Sequence, residues 1–215
     1  MRSSSRLNSL RALLGAAALA LQPEAIPSRL PPVELCASEA GFEAFRLRLN
    51  DVIARKDERA LLAMLSDEVE VNFGGDRGPA LFAANWKFDE PDDSHVWAEL
   101  EGALRLGCSP TGDALIAPSF VPRFPEQLDA FETVIVRPGT QLRAAPSDTA
   151  KGLGRLDWHL AKVTGDVVAA WLGVELLDGR RGFVRREQTV NPLGYRAVFE
   201  KLRGEWRITA FVAGD

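Results

Sequence analysis

From Glu132 onward the chain breaks into short β-branched and apolar runs separated by turn residues. Thr133 to Val136 is the first run, and Arg137-Pro138-Gly139 turns it. Leu142 to Ser147, Leu153 to Leu156, and Val163 to Val168 around Gly165-Asp166 follow. Trp171 to Leu177 alternates, with Leu172, Val174 and Leu176 on one face of a strand. Asp178-Gly179 is a hairpin signal, and Arg180 to Val184 closes the series. Short strands with turn signals at this density restrict the second half to a small all-β barrel or sandwich.

Several separated motifs there resemble one family. Leu142-Arg143-Ala144-Ala145-Pro146 is followed by Gly154 and Leu156, then Trp171 and Val174, then Asp178-Gly179 and Gly182-Phe183-Val184. This order is similar to bacterial Src-homology 3 (SH3) domains, with Leu142 standing where Val is more usual. The resemblance covers about 131–191. It implies a non-catalytic barrel of the kind that associates with cell-wall material or exported enzymes. On that reading the exposed aromatic and basic residues Trp158, Arg180, Arg181, Arg185 and Arg186 are the binding surface. No cell-wall hydrolase motif accompanies the barrel.

The first half is helical and mixed. Phe42, Phe45, Leu49, Val52 and Ile53 recur at helical spacing. Asp57 fits an N-cap ahead of Leu61, Leu62 and Leu65. Val69, Val71 and Phe73 alternate as a short strand ended by Gly74-Gly75-Asp76. Pro79 opens one further helix, and Ser94 caps another carrying Val96, Trp97, Leu100 and Leu104. Leu115 to Val121 reads as a strand bounded by prolines. After Asn191-Pro192-Leu193-Gly194, alternation in Tyr195 to Leu202 and Trp206 to Val212 marks a closing hairpin. Helices need sheet to cover them, so this hairpin is expected to return to the first half.

That order, with Trp206-Arg207-Ile208 and the helix of Phe42, Phe45 and Leu49, resembles the nuclear transport factor 2-like and SnoaL-like group of cone-shaped α+β domains. The expected fold class is therefore α+β, with an SH3-like barrel inserted at 131–191 and the first domain formed by 34–130 plus 192–215.

Arg2, Arg6 and Arg11 precede an apolar run from Ala12 to Leu21 containing Ala18-Leu19-Ala20. This pattern predicts a signal peptide over 1–20 and a periplasmic or secreted protein. Pro23, Pro27, Pro31 and Pro32 predict a linker over 21–33. Cys36 and Cys108 are the two cysteines, and an oxidising compartment favours their disulfide. The net charge of −4 argues against a nucleic-acid partner.

No catalytic residue is assigned. His95 and His159 are the two histidines, and neither sits in a recognised catalytic or zinc-binding motif. The acidic run Asp89, Glu90, Asp92, Asp93 with His95 lacks the spacing of a calcium loop, and no metal or cofactor is expected. The expected function is non-catalytic binding in the cell envelope, to cell-wall glycan or peptide or to a periplasmic protein. The alternative is a small-molecule pocket or enzyme in the cone-shaped domain, lined by Phe45, Phe73, Trp86 and Trp97.

Overall fold

The computed structural model describes residues 25–90 and 94–214. The expected signal peptide lies outside the described residues. In chain order the first half contains β1 (Val33–Glu34), α1 (Phe42–Arg55), α2 (Glu58–Met64), β2 (Leu65–Glu70), α3 (Pro79–Asn85), α4 (Val96–Arg105), β3 (Gly107–Thr111) and β4 (Ala114–Ala117). The second half contains β5 (Thr133–Val136), β6 (Thr140–Arg143), β7 (Gly152–Leu156), β8 (His159–Val168), β9 (Trp171–Leu176), β10 (Arg181–Arg185) and β11 (Thr189–Val190). Then come β12 (Arg196–Leu202) and β13 (Glu205–Val212). Short 3-10 turns occupy Val121–Arg123 and Arg186–Gln188. The protein is α+β, with two large sheets.

The apolar stripe of α1 is buried at every position that helical spacing places on one face: Phe42, Phe45, Leu49, Val52 and Ile53. Asp57 caps α2 by accepting a hydrogen bond from the Ala60 backbone N–H at 2.9 Å. Asp57→Ala is expected to cost about 1 kcal/mol of stability, read from the urea midpoint; an unchanged midpoint contradicts the cap. Two helix boundaries depart from expectation. Leu65 opens β2 instead of extending α2, and His95, not Ser94, occupies the cap position of α4 without a side-chain bond.

The first sheet has the order β1-β3-β4-β12-β13-β2. Leu115, Phe199, Ile208 and Leu65 lie side by side across it, because register pairs share a face. All four are buried in the cluster that also contains the α1 stripe. The hairpin β12–β13 thus lies in the middle of this sheet, with β12 on β4 and β13 on β2. The seven strands β5 to β11 come between β4 and β12 in the chain and form a separate sheet.

That second sheet has the order β11-β5-β8-β9-β10-β6-β7. Its core is Val136, Leu142, Leu156, Ala161, Leu172, Val174, Leu176 and Val184. The expected closed barrel is corrected to an open sheet. Closure needs a continuous ladder with a fixed stagger. Among the described residues β11 adds two residue pairs on β5, and β7 pairs only with β6, so the two ends do not join.

A third cluster fills the seam between the sheets: Leu30, Leu106, Phe120, Ile135 and Leu160. It also corrects the expected linker. Leu30 N–H donates to Trp158 O at 2.7 Å, and Leu160 N–H donates to Ser28 O at 3.1 Å. From Ser28 onward the segment is therefore strapped to β8, and Val33–Glu34 pairs in parallel with β3. That last pairing requires Gly107. Its φ is +72, and a Cβ there would lie 2.1 Å from Val33 O.

Cys36 and Cys108 form a disulfide across 72 residues, with both side chains buried. Cys108 lies within β3.

Candidate functional site

In β10 the side chain of Val184 enters the core, so Arg181, Phe183 and Arg185 take the opposite face. Their register partners extend that outer face. Arg181 is beside Glu175, Phe183 beside Gly173 and Arg143, and Arg185 beside Trp171. The result is a patch of aromatic and cationic side chains on the solvent side of β6, β9 and β10.

Its members are held to different degrees. The Arg185 guanidinium lies 4.8 Å from the Trp171 ring centroid and pairs with Asp148, which reaches over from the β6–β7 loop. The Arg185 hydrogen bond holds the Asp148 carboxyl below its ordinary pKa. Trp171 is buried beneath this arrangement. Arg143 donates to Ala150 O at 2.9 Å and anchors the same loop. Arg181 meets Glu175 at 2.8 Å but stays highly exposed.

The residues expected from sequence do not converge on one point. Arg180 turns to Asp178 at the β9–β10 hairpin, where two hydrogen bonds from Arg180 lower the Asp178 pKa. Arg181 begins β10 and Arg185 ends it, about 13 Å apart at the usual rise of a strand. Arg186 follows as an exposed side chain in the 3-10 turn. Trp158 is corrected from surface to seam. It packs half-buried against the cluster between the sheets, at φ 51. Phe183 and Arg143 belong to the motifs of the SH3 resemblance but are not among the binding residues expected from the sequence. The period-2 alternation Arg181-Phe183-Arg185 was the signal that could have found them.

The four aromatics of the pocket alternative are not brought together around a shared cavity. Phe45, Trp86 and Trp97 are buried core side chains. Phe45 meets Phe199 edge-on at 5.9 Å. Trp86 stacks on Phe211 at 5.2 Å, and Trp97 on Phe88 at 5.9 Å. Phe73 lies outside β2, because Asn72 bends the chain by accepting from the Gly74 backbone N–H, and it is 53% exposed. Of the acidic run, Asp92 and Asp93 lie outside the described residues. Among the described residues, the cluster with metal-ligand potential is Glu34 with Cys36 and Cys108, whose thiols are consumed by the disulfide.

His159 starts β8 beneath the strap, where Arg29 bridges to it. Its Nδ1 accepts from the Asp157 backbone N–H at 2.9 Å. Burial lowers its pKa, and the charge of Arg29 adds to that, against a raising hydrogen bond to the Asp157 backbone. Arg180 and Asp178 also face it, with opposite effects. The unfolded chain takes up this proton near pH 6.5, and the folded chain only at lower pH. The contribution is therefore complete above about pH 6.5 and is lost as the pH falls through the folded value. The thermal midpoint is expected to drop as the pH falls below about 6.5, and to drop less in His159→Gln. An identical slope in both proteins contradicts this.

No family model matches the chain. No curated protein matches it either. Among solved structures, a designed protein whose title carries the label NTF2 spans 82% of this chain and 100% of its own length, at 14% identity and a TM-score of 0.31. A likeness at that score carries no argument, and the α+β description rests on the elements themselves.

Proposed function

We propose that this is an exported, non-catalytic binding protein of the cell envelope, whose second sheet is an SH3-like unit inserted into a cone-shaped first domain. Its ligand is the peptidoglycan of the wall, and it binds through the outer face of β9 and β10. The observation that carries this reading is the shared face of Trp171, Phe183, Arg181 and Arg185, with the exposed Arg186 at its end. The partly exposed ring of Phe183 suits sugar rings, and the exposed guanidinium groups of Arg181, paired on one side with Glu175, and of Arg186 suit the carboxylates of wall peptides. A disulfide with both sulfurs buried is compatible with an oxidising compartment.

The test is co-sedimentation of the mature chain, Leu21 to Asp215, with purified peptidoglycan at low salt. Arg181→Glu combined with Arg186→Glu reverses two exposed charges and leaves the Arg185–Trp171 stack in place. The parent is expected to sediment with the wall, and the double variant to stay at least tenfold more in solution. A parent that stays in the supernatant sinks wall binding and moves the reading to a periplasmic protein partner.

A further inference from the structure

A trough of about 700 Å³ runs between α1, α2 and the tip of the β12–β13 hairpin, on the first sheet and away from the patch proposed above. We infer that it is a docking site for an acidic, extended segment of a partner protein that carries one apolar anchor residue. This does not rest on the wall-binding reading.

The trough has a built aromatic wall. The Trp206 Nε1–H donates to Ala40 O at 3.1 Å, and the ring meets Phe42 edge-on at 5.2 Å. Gly41, at φ +80, brings the turn before α1 against the same indole. Trp206 is thus only half-buried but held on two sides, and it lines the trough with Val52, Ala60 and Met64. A rigid, half-exposed Trp beside aliphatic side chains is the kind of anchor that binding surfaces use, because little rotamer freedom remains to be lost.

The rim specifies the charge of the occupant. Four cations line it, Arg48, Arg55, Lys201 and Arg207, against the carboxylates Asp51 and Glu205. Asp51 is taken by Arg55 at 2.7 Å, and Glu205 by Arg207 at 2.6 Å. Among the described residues no carboxylate meets Arg48 or Lys201. Lys201 instead donates to Ala40 O at 3.1 Å, with its ammonium 5.8 Å from the Trp206 ring centroid. Two cations are left over on a chain whose net charge is −4. Opposite charge on the occupant is the complement that steers association and fixes register. The site is a surface trough with an exposed rim, which fits an extended chain better than an enclosed small ligand.

The experiment follows the Trp206 indole N–H by 15N NMR in the mature full chain at low salt. The probes are a capped Glu-Glu-Leu-Glu-Glu peptide and its Lys-Lys-Leu-Lys-Lys counterpart. The acidic peptide is expected to shift the Trp206 signal saturably, and the basic one to leave it in place. Arg48→Glu, an exposed change on α1, is expected to raise the Kd at least tenfold, whereas Arg186→Glu on the other sheet leaves it unchanged. No shift with the acidic peptide, equal shifts with both peptides, or an unaltered Kd in Arg48→Glu overturns the inference. So does concentration-dependent shifting of Trp206 without peptide, which assigns the trough to a second copy of the chain. Peptidoglycan sedimentation of the same variants keeps the two readings apart, since Arg48→Glu should still sediment.

Discussion

Replacing Cys36 and Cys108 together by Ala is expected to lower the unfolding free energy by about 4 kcal/mol. The bond closes a loop of 72 residues, which takes in α1 to α4 and β2. Breaking it returns that loop entropy to the unfolded chain. It also loosens the two-residue strand β1, which is otherwise held by its β3 register, the Val33 N–H bond to the Ser119 hydroxyl at 2.9 Å and the Glu34–Arg46 ion pair. Urea unfolding of the double variant at fixed pH and salt reads the effect. A loss below about 1 kcal/mol contradicts the model in which loop closure dominates.

Phe199→Ala is expected to cost about 3–5 kcal/mol, the range for removing a large aromatic side chain from a packed core. Phe199 is fully buried on β12, in the middle of the first sheet. Its ring meets Phe42 at 5.3 Å and Phe45 at 5.9 Å, and its register neighbours Leu115 and Ile208 are buried beside it. The cavity would be walled by both the helices and the sheet, so little can collapse into it. Phe183→Ala, on the outer face of the second sheet and only partly buried, serves as the contrast and should cost much less. Equal losses in the two variants would mean that Phe199 is not the centre of the larger core.

The features legible in the sequence are those whose signal is local. The α1 stripe, the Asp57 cap, the Asp178-Gly179 hairpin and the alternation around Arg203-Gly204 each lie within a few residues, and each is found where its pattern put it. The disulfide was legible because two cysteines allow one pairing. What was missed depends on distant partners. Leu65 continues a helical stripe perfectly well, and only its register with Ile208 makes it a strand. β1 and β3 are short, and Gly107 and Pro110 disguise the latter; their pairing comes from the chain's return at the disulfide. Trp158 looked like a surface aromatic because nothing local reveals that the proline-rich strap and Phe120 meet it in the seam. Closure of the second sheet was illegible for the same reason, since stagger is a property of all its strands together. For the candidate site, the arginines could be named, but their ion pairs with Asp148, Glu175 and Asp178 could not.

Both functional readings stand on one structural claim: the hairpin β12–β13 belongs to the first core, and β5 to β11 form a second core between β4 and β12. Native-state hydrogen exchange on Phe199→Ala tests it most directly. The expected result is lost protection in the strand amides of β2, β4, β12 and β13, with the amides of β8, β9 and β10 still protected as in the parent. Lost protection in β8 to β10 with β2 and β4 unchanged would place the hairpin with the second sheet and contradict the account.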